Sequence, residues 1–338
     1  MVIQHNISLL PFNTFGLDVK ASLFAAFKTT EELQTILSGK AVNTDKILIL
    51  GGGSNILFCN DFDGLVLKNE IEGIALVMET DLHYYVKAGA GVNWHQFVLY
   101  CVHHGYAGVE NLALIPGSVG ASPIQNIGAY GVELKDVFYE LEAMRIADGE
   151  MVVMKKADCL FGYRDSIFKK AYHNKFVITS VTFLLHKKPV LNTTYGAINE
   201  ELREMGVSNP LLNDIAQAVM NIRNSKLPDP HNIGNAGSFF KNPEITQTHY
   251  HQLKLQYPNL SGYPTSANKI KIAAGWLIEQ CGWKGFRKGD AGCYEKQALV
   301  LVNYGKAIGN EILQLSHEIV SSVFEKFGIM LEREVNVM

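Results

Sequence analysis

Residues 115–131 read IPGSVGASPIQNIGAYG. Small residues dominate this stretch and none of its side chains is charged. Widened to 105–131, it holds six glycines, and Glu110 is its only charge. A long uncharged, glycine-rich segment inside a compact domain is usually a functional loop. Its Ile, Leu, Val and Tyr residues set it apart from a flexible linker. Main chain with few bulky side chains lets a planar ring and a pyrophosphate come close to backbone N–H groups, with Ser and Asn as local donors. A structural glycine loop has the same composition, so the stretch alone points only to a ligand with anionic groups.

A second glycine run lies upstream. Residues 46–50 (KILIL) read as a buried strand, and they stop abruptly at Gly51, Gly52, Gly53, Ser54 and Asn55. The run is neither G-x-G-x-x-G nor a Walker loop with its lysine, which excludes both of those phosphate-binding patterns. Taken alone it is a strand-end turn. Two uncharged glycine loops in one domain favour a ligand. A diphosphate held by neutral amides also needs no strong positive patch, which suits the net charge of −3.

Around these loops the chain alternates strands and helices. Thr29-Thr-Glu-Glu32 looks like a capping box opening a helix to about residue 37. Residues 64–68 and 84–88 read as strands, and 92–104 as a helix stopped by Gly105. Asp148-Gly149 marks a hairpin between MRIA and MVVM. Helical spacing resumes over 212–223, and the Pro-, Gly- and Asn-rich 225–237 connects to a new unit. There, 270–281 reads as a helix and 298–303 as a strand. Residues 308–327 read as an amphipathic helix carrying Ile312, Leu315, Ile319, Val323 and Phe327, with Gly328 as its stop. Residues 329–337 form a terminal strand.

The whole chain sets bounds. Its 338 residues suggest two or three domains, and 47% hydrophobic with 19% charged residues is ordinary globular composition. The charge balance gives no basic field for nucleic acid or anionic lipid. No secretory leader and no run of about 18 apolar residues is present. Cys59, Cys101, Cys159, Cys281 and Cys293 are odd in number and form no C-x-x-C pair, as free thiols of a reducing cytoplasm would. His103-His104 lacks ligand spacing, so no metal is expected.

Three further segments carry candidate chemistry. In FGYRDS (161–166), Arg164 among aromatics is a carboxylate clamp or, equally, a surface contact of Asp165. In GNAGSFFKNP (234–243), Ser238 is not a nucleophile elbow; alone it is a turn serine, and if catalytic it donates a proton. In LEREV (331–335), Glu332 and Glu334 stand two apart on one strand face and alone read as exposed glutamates.

Together with Asn13-Thr-Phe-Gly16, KLPDP (226–230) and the AAGWLIEQCG helix (273–282), these segments occur in the order that characterises the UDP-N-acetylenolpyruvoylglucosamine reductases (MurB). The chain resembles that family from about Asn13 to Val335, and the Thr194-Tyr195-Gly196 segment resembles its type I form, with a tyrosine loop over the substrate. The resemblance implies an α+β protein: a two-lobed FAD-binding domain of the vanillyl-alcohol-oxidase/PCMH type and a C-terminal α/β substrate domain. The implied boundaries are 1–70 for the first flavin lobe, joined by the returning strand 329–338, then 71–212 for the second lobe and 213–328 for the substrate domain.

It also implies UDP-N-acetylmuramate dehydrogenase activity in peptidoglycan precursor synthesis. NADPH reduces FAD, and a hydride from flavin N5 reaches C3 of the enolpyruvyl group of UDP-N-acetylglucosamine enolpyruvate. Charge then builds on C2 and the carboxylate, where preorganised donors matter most. Arg164 matches the family's carboxylate-binding arginine. Glu334 matches its catalytic glutamate, which could donate if protonated. Ser238 matches the serine that protonates C2, a role demanding close placement. Tyr195, Lys226 and Asn242 match holders of the UDP diphosphate, and Gln125 and Gln297 are weaker substrate contacts. FAD contacts fall to Gly51, Gly52, Gly53, Ser54, Asn55, Pro116, Gly117, Ser118, Gly120, Ser122, Ile124, Gly128 and Arg223. A cytoplasmic monomer is expected.

Two features depart from the family pattern. Asn336 follows LEREV where many relatives carry arginine, and the first loop is GGGSN where an acid sometimes replaces the second glycine. Two rivals remain at this level. One is another FAD oxidoreductase of the same domain type, which often attaches flavin through His or Cys; neither residue occurs in 51–55 or 115–131. The other is a non-catalytic nucleotide-sugar binding module.

Overall fold

A computed structural model describes residues 3–39, 46–265 and 268–338. The chain divides into two compact units. The first comprises Met1–Ile7, Lys20–Gly53 and Phe62–Ser225; the second comprises Ser8–Val19, Ser54–Asp61 and Lys226–Met338.

The first unit opens on a small sheet. Strands Lys20–Phe27 and Ile47–Leu50 flank strand Phe62–Asn69, each parallel to it. Parallel neighbours need a crossover, which helix Thr30–Ser38 supplies. Thr29 caps it by accepting the Glu32 N–H at 3.2 Å. The Glu32 carboxylate accepts from Lys28 N–H at 2.6 Å, one residue before the cap, so half of the expected capping box is in place. Leu65, Val66 and Leu67 are all buried in the central strand, as a continuous apolar run in a parallel sheet requires.

A five-stranded antiparallel sheet follows, in the order Met151–Lys155, Phe138–Arg145, Phe176–His186, His83–Gly89, Ile74–Glu79. The hairpin expected at Asp148-Gly149 sets Met144 opposite Met151, with Gly149 at φ +73°. Helix Trp94–His103 buries Trp94, Phe97, Val98 and Cys101 in the core of this sheet. Its N-cap, Asn93, accepts the Gln96 N–H at 3.1 Å.

Helix Leu212–Lys226 buries Ile215, Val219 and Ile222 in that same core. The first unit therefore runs to Ser225, whereas the sequence placed the start of the second domain at 213. Burial of one face decides membership; the Pro-rich turn that begins at Leu227 is what the pattern marked.

In the second unit, strands Gly234–Ser238, Val300–Asn303, Ala291–Cys293 and Arg287–Lys288 form one sheet in that order. Helix Gly309–Phe327 packs against it, with the five expected apolar residues buried and Gly328 in the left-handed conformation at φ +65°. Two expectations change. The helix read over 270–281 is confined to Ala274–Gln280, and Lys269–Ile272 is a strand paired on both sides. Its KIKI alternation has period two, not 3.6. The terminal strand shrinks to Asn336–Val337, which pairs in parallel with Ile56–Leu57. Both segments lie in the second unit, so the C-terminal residues group with 54–61 and not with the sheet of residues 20–69. Among the described residues no helix is long and apolar enough to cross a membrane.

Candidate functional site

The two glycine loops meet main chain to main chain within the first unit. A Cβ on Gly51 would lie 2.3 Å from Ser118 Oγ, and one on Gly52 would lie 2.8 Å from Gly117 Cα. Gly53 and Gly117 also sit at φ +62° and +113°, where side chains are strained. The second loop is tied to the segment joining strand His83–Gly89 to helix Trp94–His103 by Trp94 N–H to Gly117 O (3.0 Å), Val119 N–H to Val92 O (2.9 Å) and Gly120 N–H to Ala90 O (2.9 Å). Ala121 and Ser122 N–H close a turn on Ser118 and Val119 carbonyls, and Ser122 Oγ donates to Val119 O at 2.6 Å. The N–H groups of residues 119–122, and the Ser122 hydroxyl, thus hold the loop itself, which narrows the cradle read from composition.

One charge near the first loop escaped the sequence. Lys68 Nζ donates to Gly51 O at 2.9 Å, and burial pulls its pKa down. Lys68 lies 17 residues downstream but pairs with Leu50 across the parallel strands, directly before the glycines. The strand register was the signal that could have found it.

Phe161–Ser166 is laced onto the second loop. Asn126, fully buried, donates to Gly162 O at 2.9 Å, Ser166 Oγ donates to Ile124 O at 2.6 Å, and Arg164 Nη2 donates to Gly128 O at 2.5 Å. Arg164 itself adopts φ +51° in a tight turn, closed by Gly162 N–H to Asp165 O at 2.9 Å. A bulky residue held there marks a built feature.

Beside it stands Arg223, half-buried on helix Leu212–Lys226. Burial pulls its pKa down, Arg164 pushes the same way, and a hydrogen bond with Tyr130 opposes both. Its Nε is buried with no hydrogen-bond partner. Tyr130 stacks edge-on against Tyr195 at 5.3 Å. Arg164, Arg223, Tyr130 and Tyr195, from four separate motifs, therefore form one neighbourhood in which two guanidiniums act on each other. A buried cation costs free energy unless an anion or acceptor satisfies it.

His95 belongs to this neighbourhood. Burial first, and Arg223 second, lower its pKa. Its Nδ1 accepts the Leu114 N–H at 3.1 Å, which fixes the neutral tautomer and supports Leu114 at φ +58°. Because the folded pKa lies below the unfolded value, the contribution of His95 to stability is present above about pH 6.5 and is lost as pH falls through the folded value. We expect His95→Asn, which keeps an acceptor near Nδ1, to flatten this acid loss of stability in thermal melts between pH 5 and 8. An unchanged pH slope would refute it.

The second unit carries the other candidates. Ser238 is exposed at the end of strand Gly234–Ser238, past a register shift and after Gly237 at φ +68°. Asn235 pins the turn before it. Its side chain donates to Pro228 O (3.1 Å) and Ile233 O (2.9 Å) and accepts from Gly237 N–H (2.9 Å). Its backbone pairs with Thr14, N–H to Thr14 O at 2.9 Å and O from Thr14 Oγ1 at 2.6 Å. The NTFG motif thus serves the serine turn.

Glu334 N–H donates to Phe239 O at 2.9 Å, and Lys241 N–H donates to Glu332 O at 2.9 Å. LEREV therefore runs antiparallel to SFFK and sets Glu334 beside the residue that follows Ser238. The two glutamates differ: Glu332 is exposed and ion-paired with Lys241, while Glu334 is half-buried. Asn242 Oδ1 accepts the N–H of Ala274 at 2.9 Å and so holds the start of helix Ala274–Gln280. Gln297 Oε1 accepts from Leu299 N–H at 3.3 Å. Lys226 is exposed at the last position of helix Leu212–Lys226, and Tyr195 is exposed before helix Gly196–Glu204.

Comparison with known proteins identifies the family. Residues 229–338 match the family model for the UDP-N-acetylenolpyruvoylglucosamine reductase C-terminal domain, and 21–155 match that of an FAD binding domain. The UDP-N-acetylenolpyruvoylglucosamine reductase of Flavobacterium johnsoniae is 48% identical over the full length of both chains. The chain belongs to the UDP-N-acetylenolpyruvoylglucosamine reductase family. The enzyme of the same name from Pseudomonas syringae pv. tomato is 47% identical over 99% of this chain and 98% of its own. In fold, the chain is similar to the crystal structure of MurB from Thermus caldophilus, with a TM-score of 0.69 at 24% identity, covering 100% of this chain and 99% of that one.

The residues present fit a flavin dinucleotide. The matched FAD-binding segment spans both glycine loops, whose contact excludes side chains at Gly51 and Gly52. The unpartnered Nε of Arg223 adds a donor suited to a phosphate or a ring carbonyl. Among the described residues no group of three or more His, Cys, Asp and Glu is placed to hold a metal ion.

Proposed function

We propose that this chain reduces UDP-N-acetylglucosamine enolpyruvate to UDP-N-acetylmuramate, a peptidoglycan precursor, using NADPH and bound FAD, as a monomer in the cytoplasm. The observation that carries this reading is the pairing of LEREV with SFFK, which sets half-buried Glu334 across from Phe239, the residue after exposed Ser238. FAD, which the glycine loops at 51–55 and 115–131 would hold, would supply the redox chemistry: hydride transfer between NADPH and the enolpyruvyl group.

The chain's own residues manage charge and protons. Arg164, held at φ +51°, offers its guanidinium to the substrate carboxylate. Glu334, with its carboxyl protonated, donates a hydrogen bond to the substrate as negative charge builds on it. Ser238 gives its hydroxyl proton to C2. Its fixed turn matters because serine is a weak acid and works only at close range to a strong base. Tyr195, Lys226 and Asn242 hold the diphosphate, with Gln125 and Gln297 as further contacts. Asn242 does so through its amide nitrogen, the donor that a phosphate needs, while its oxygen accepts from Ala274 N–H. The unit of residues 226–338, with the segments that join it, is the substrate-binding part.

The test is NADPH oxidation by FAD-loaded protein with and without the enolpyruvyl sugar nucleotide. Oxidation that depends on the sugar supports the proposal. A fully flavin-loaded protein that never turns over, or a flavin that stays attached after acid denaturation, defeats it.

A further inference from the structure

We propose that Asn336 is a positioning residue for Glu334, acting through Asn55. The proposal rests on the reading of Glu334 given above. The last strand is only two residues long, Asn336–Val337, so few backbone bonds hold it. Asn336 adds a side-chain bond. Its backbone N–H donates to Asn55 O at 3.1 Å and its Nδ2 donates to the same oxygen at 3.0 Å. Asn55 in turn sends its own Nδ2 to Glu334 O at 3.3 Å. The two asparagines therefore grip the main chain on the C-terminal side of Glu334, while Phe239 O takes the Glu334 N–H on its other side.

This closes a short circuit of bonds around one residue. Glu334 is fixed at its N–H by the segment that bears Ser238, and at its carbonyl by the segment that follows Gly51–Gly53 in the chain. Asn55 O accepts two donors from Asn336, which fixes the Asn55 peptide and hence the start of the side chain that reaches Glu334. Val335 is buried between these two anchor points, so rotation of the segment is opposed by packing as well. A side chain at 336 that cannot donate would leave Asn55 O with the Asn336 backbone N–H and without the second donor that steadies the Asn55 peptide.

The measurement is made on the FAD-loaded full chain. Asn336→Ala should slow the oxidative half-reaction, flavin to sugar nucleotide, about fivefold to tenfold, the size of one lost hydrogen bond. NADPH-to-flavin reduction, FAD affinity and the KM for the sugar should stay within about twofold on the same ground. Asn336→Gln should recover most of the rate. Amide hydrogen exchange over 332–336 should quicken in Asn336→Ala and return toward normal in Asn336→Gln. An oxidative half-reaction unchanged in Asn336→Ala overturns the proposal, as does equal slowing of both half-reactions with looser FAD, which marks general loosening. If the wild-type protein does not reduce the sugar at all, the proposed function fails, and the exchange rates still decide whether Asn336 holds Glu334.

Discussion

Ser238→Ala should leave NADPH reduction of the bound flavin near the wild-type rate and slow the oxidative half-reaction by about a thousandfold, within the range for loss of a positioned proton donor. The asymmetry follows from the place of the serine. It is exposed, at the end of its strand, and its turn is held by Asn235 without help from its own hydroxyl. Removing the oxygen leaves those bonds intact, so the fold and flavin binding should be unaffected. Stopped-flow spectra at the flavin bands separate the two halves. Equal losses in both would show that Ser238 supports the site generally and does not supply the proton.

Gly52→Ala should cost about tenfold to a hundredfold in FAD affinity, with a clear loss of thermal stability. The new Cβ would lie 2.8 Å from the Cα of Gly117 and 3.3 Å from its carbonyl carbon. Those are backbone atoms, and the Gly117 carbonyl is fixed by the Trp94 N–H at 3.0 Å, so no side chain can swing aside. Forcing one methyl group into packed structure costs about 1–3 kcal/mol and shifts backbone. Here the shift would separate the two loops proposed to hold the flavin. Gly196→Ala is the control. It opens helix Gly196–Glu204 and has nothing within 4 Å of its Cβ, so it should be neutral or stabilise by up to about 1 kcal/mol. Flavin fluorescence titrations and melting curves check both, and equal flavin affinity in the two variants would remove the steric argument.

Much of this was legible in the sequence where local chemistry and global packing agree. Helix Gly309–Phe327 declared itself because its apolar residues recur at helical spacing and Gly328 ends it. The Asp148-Gly149 hairpin did so through turn chemistry alone. Lys269–Ile272 was missed because a four-residue alternation next to a helix is overwhelmed by the helix pattern. The terminal strand was overextended because Ile329 and Leu331 are buried as a strand's residues would be, while the pairing of LEREV with SFFK is a single short bridge.

In the site, motifs gave the residues, but not their company. Nothing in the one-dimensional pattern places Lys68 on the Gly51 carbonyl, His95 beneath Leu114, or Arg223 beside Tyr130. Those depend on strand register and on helix packing, which only the assembled chain displays. Likewise, LEREV alone suggested two equivalent glutamates, and the neighbouring Lys241 distinguishes them by drawing Glu332 outward.

The second unit is assembled from three separate stretches, and this bears on how the polypeptide matures as it is made. Thr14 meets Asn235 across 221 positions, and Asn55 meets Asn336 across 281. Residues 8–19 and 54–61 must therefore wait through most of translation before the strands they complete are synthesised. A fragment beginning at Lys226 would lack the clasp for its serine turn and the partner of its last strand. Such a piece, made alone, should be a poor folder, and adding the missing segments in trans is the way to rescue it.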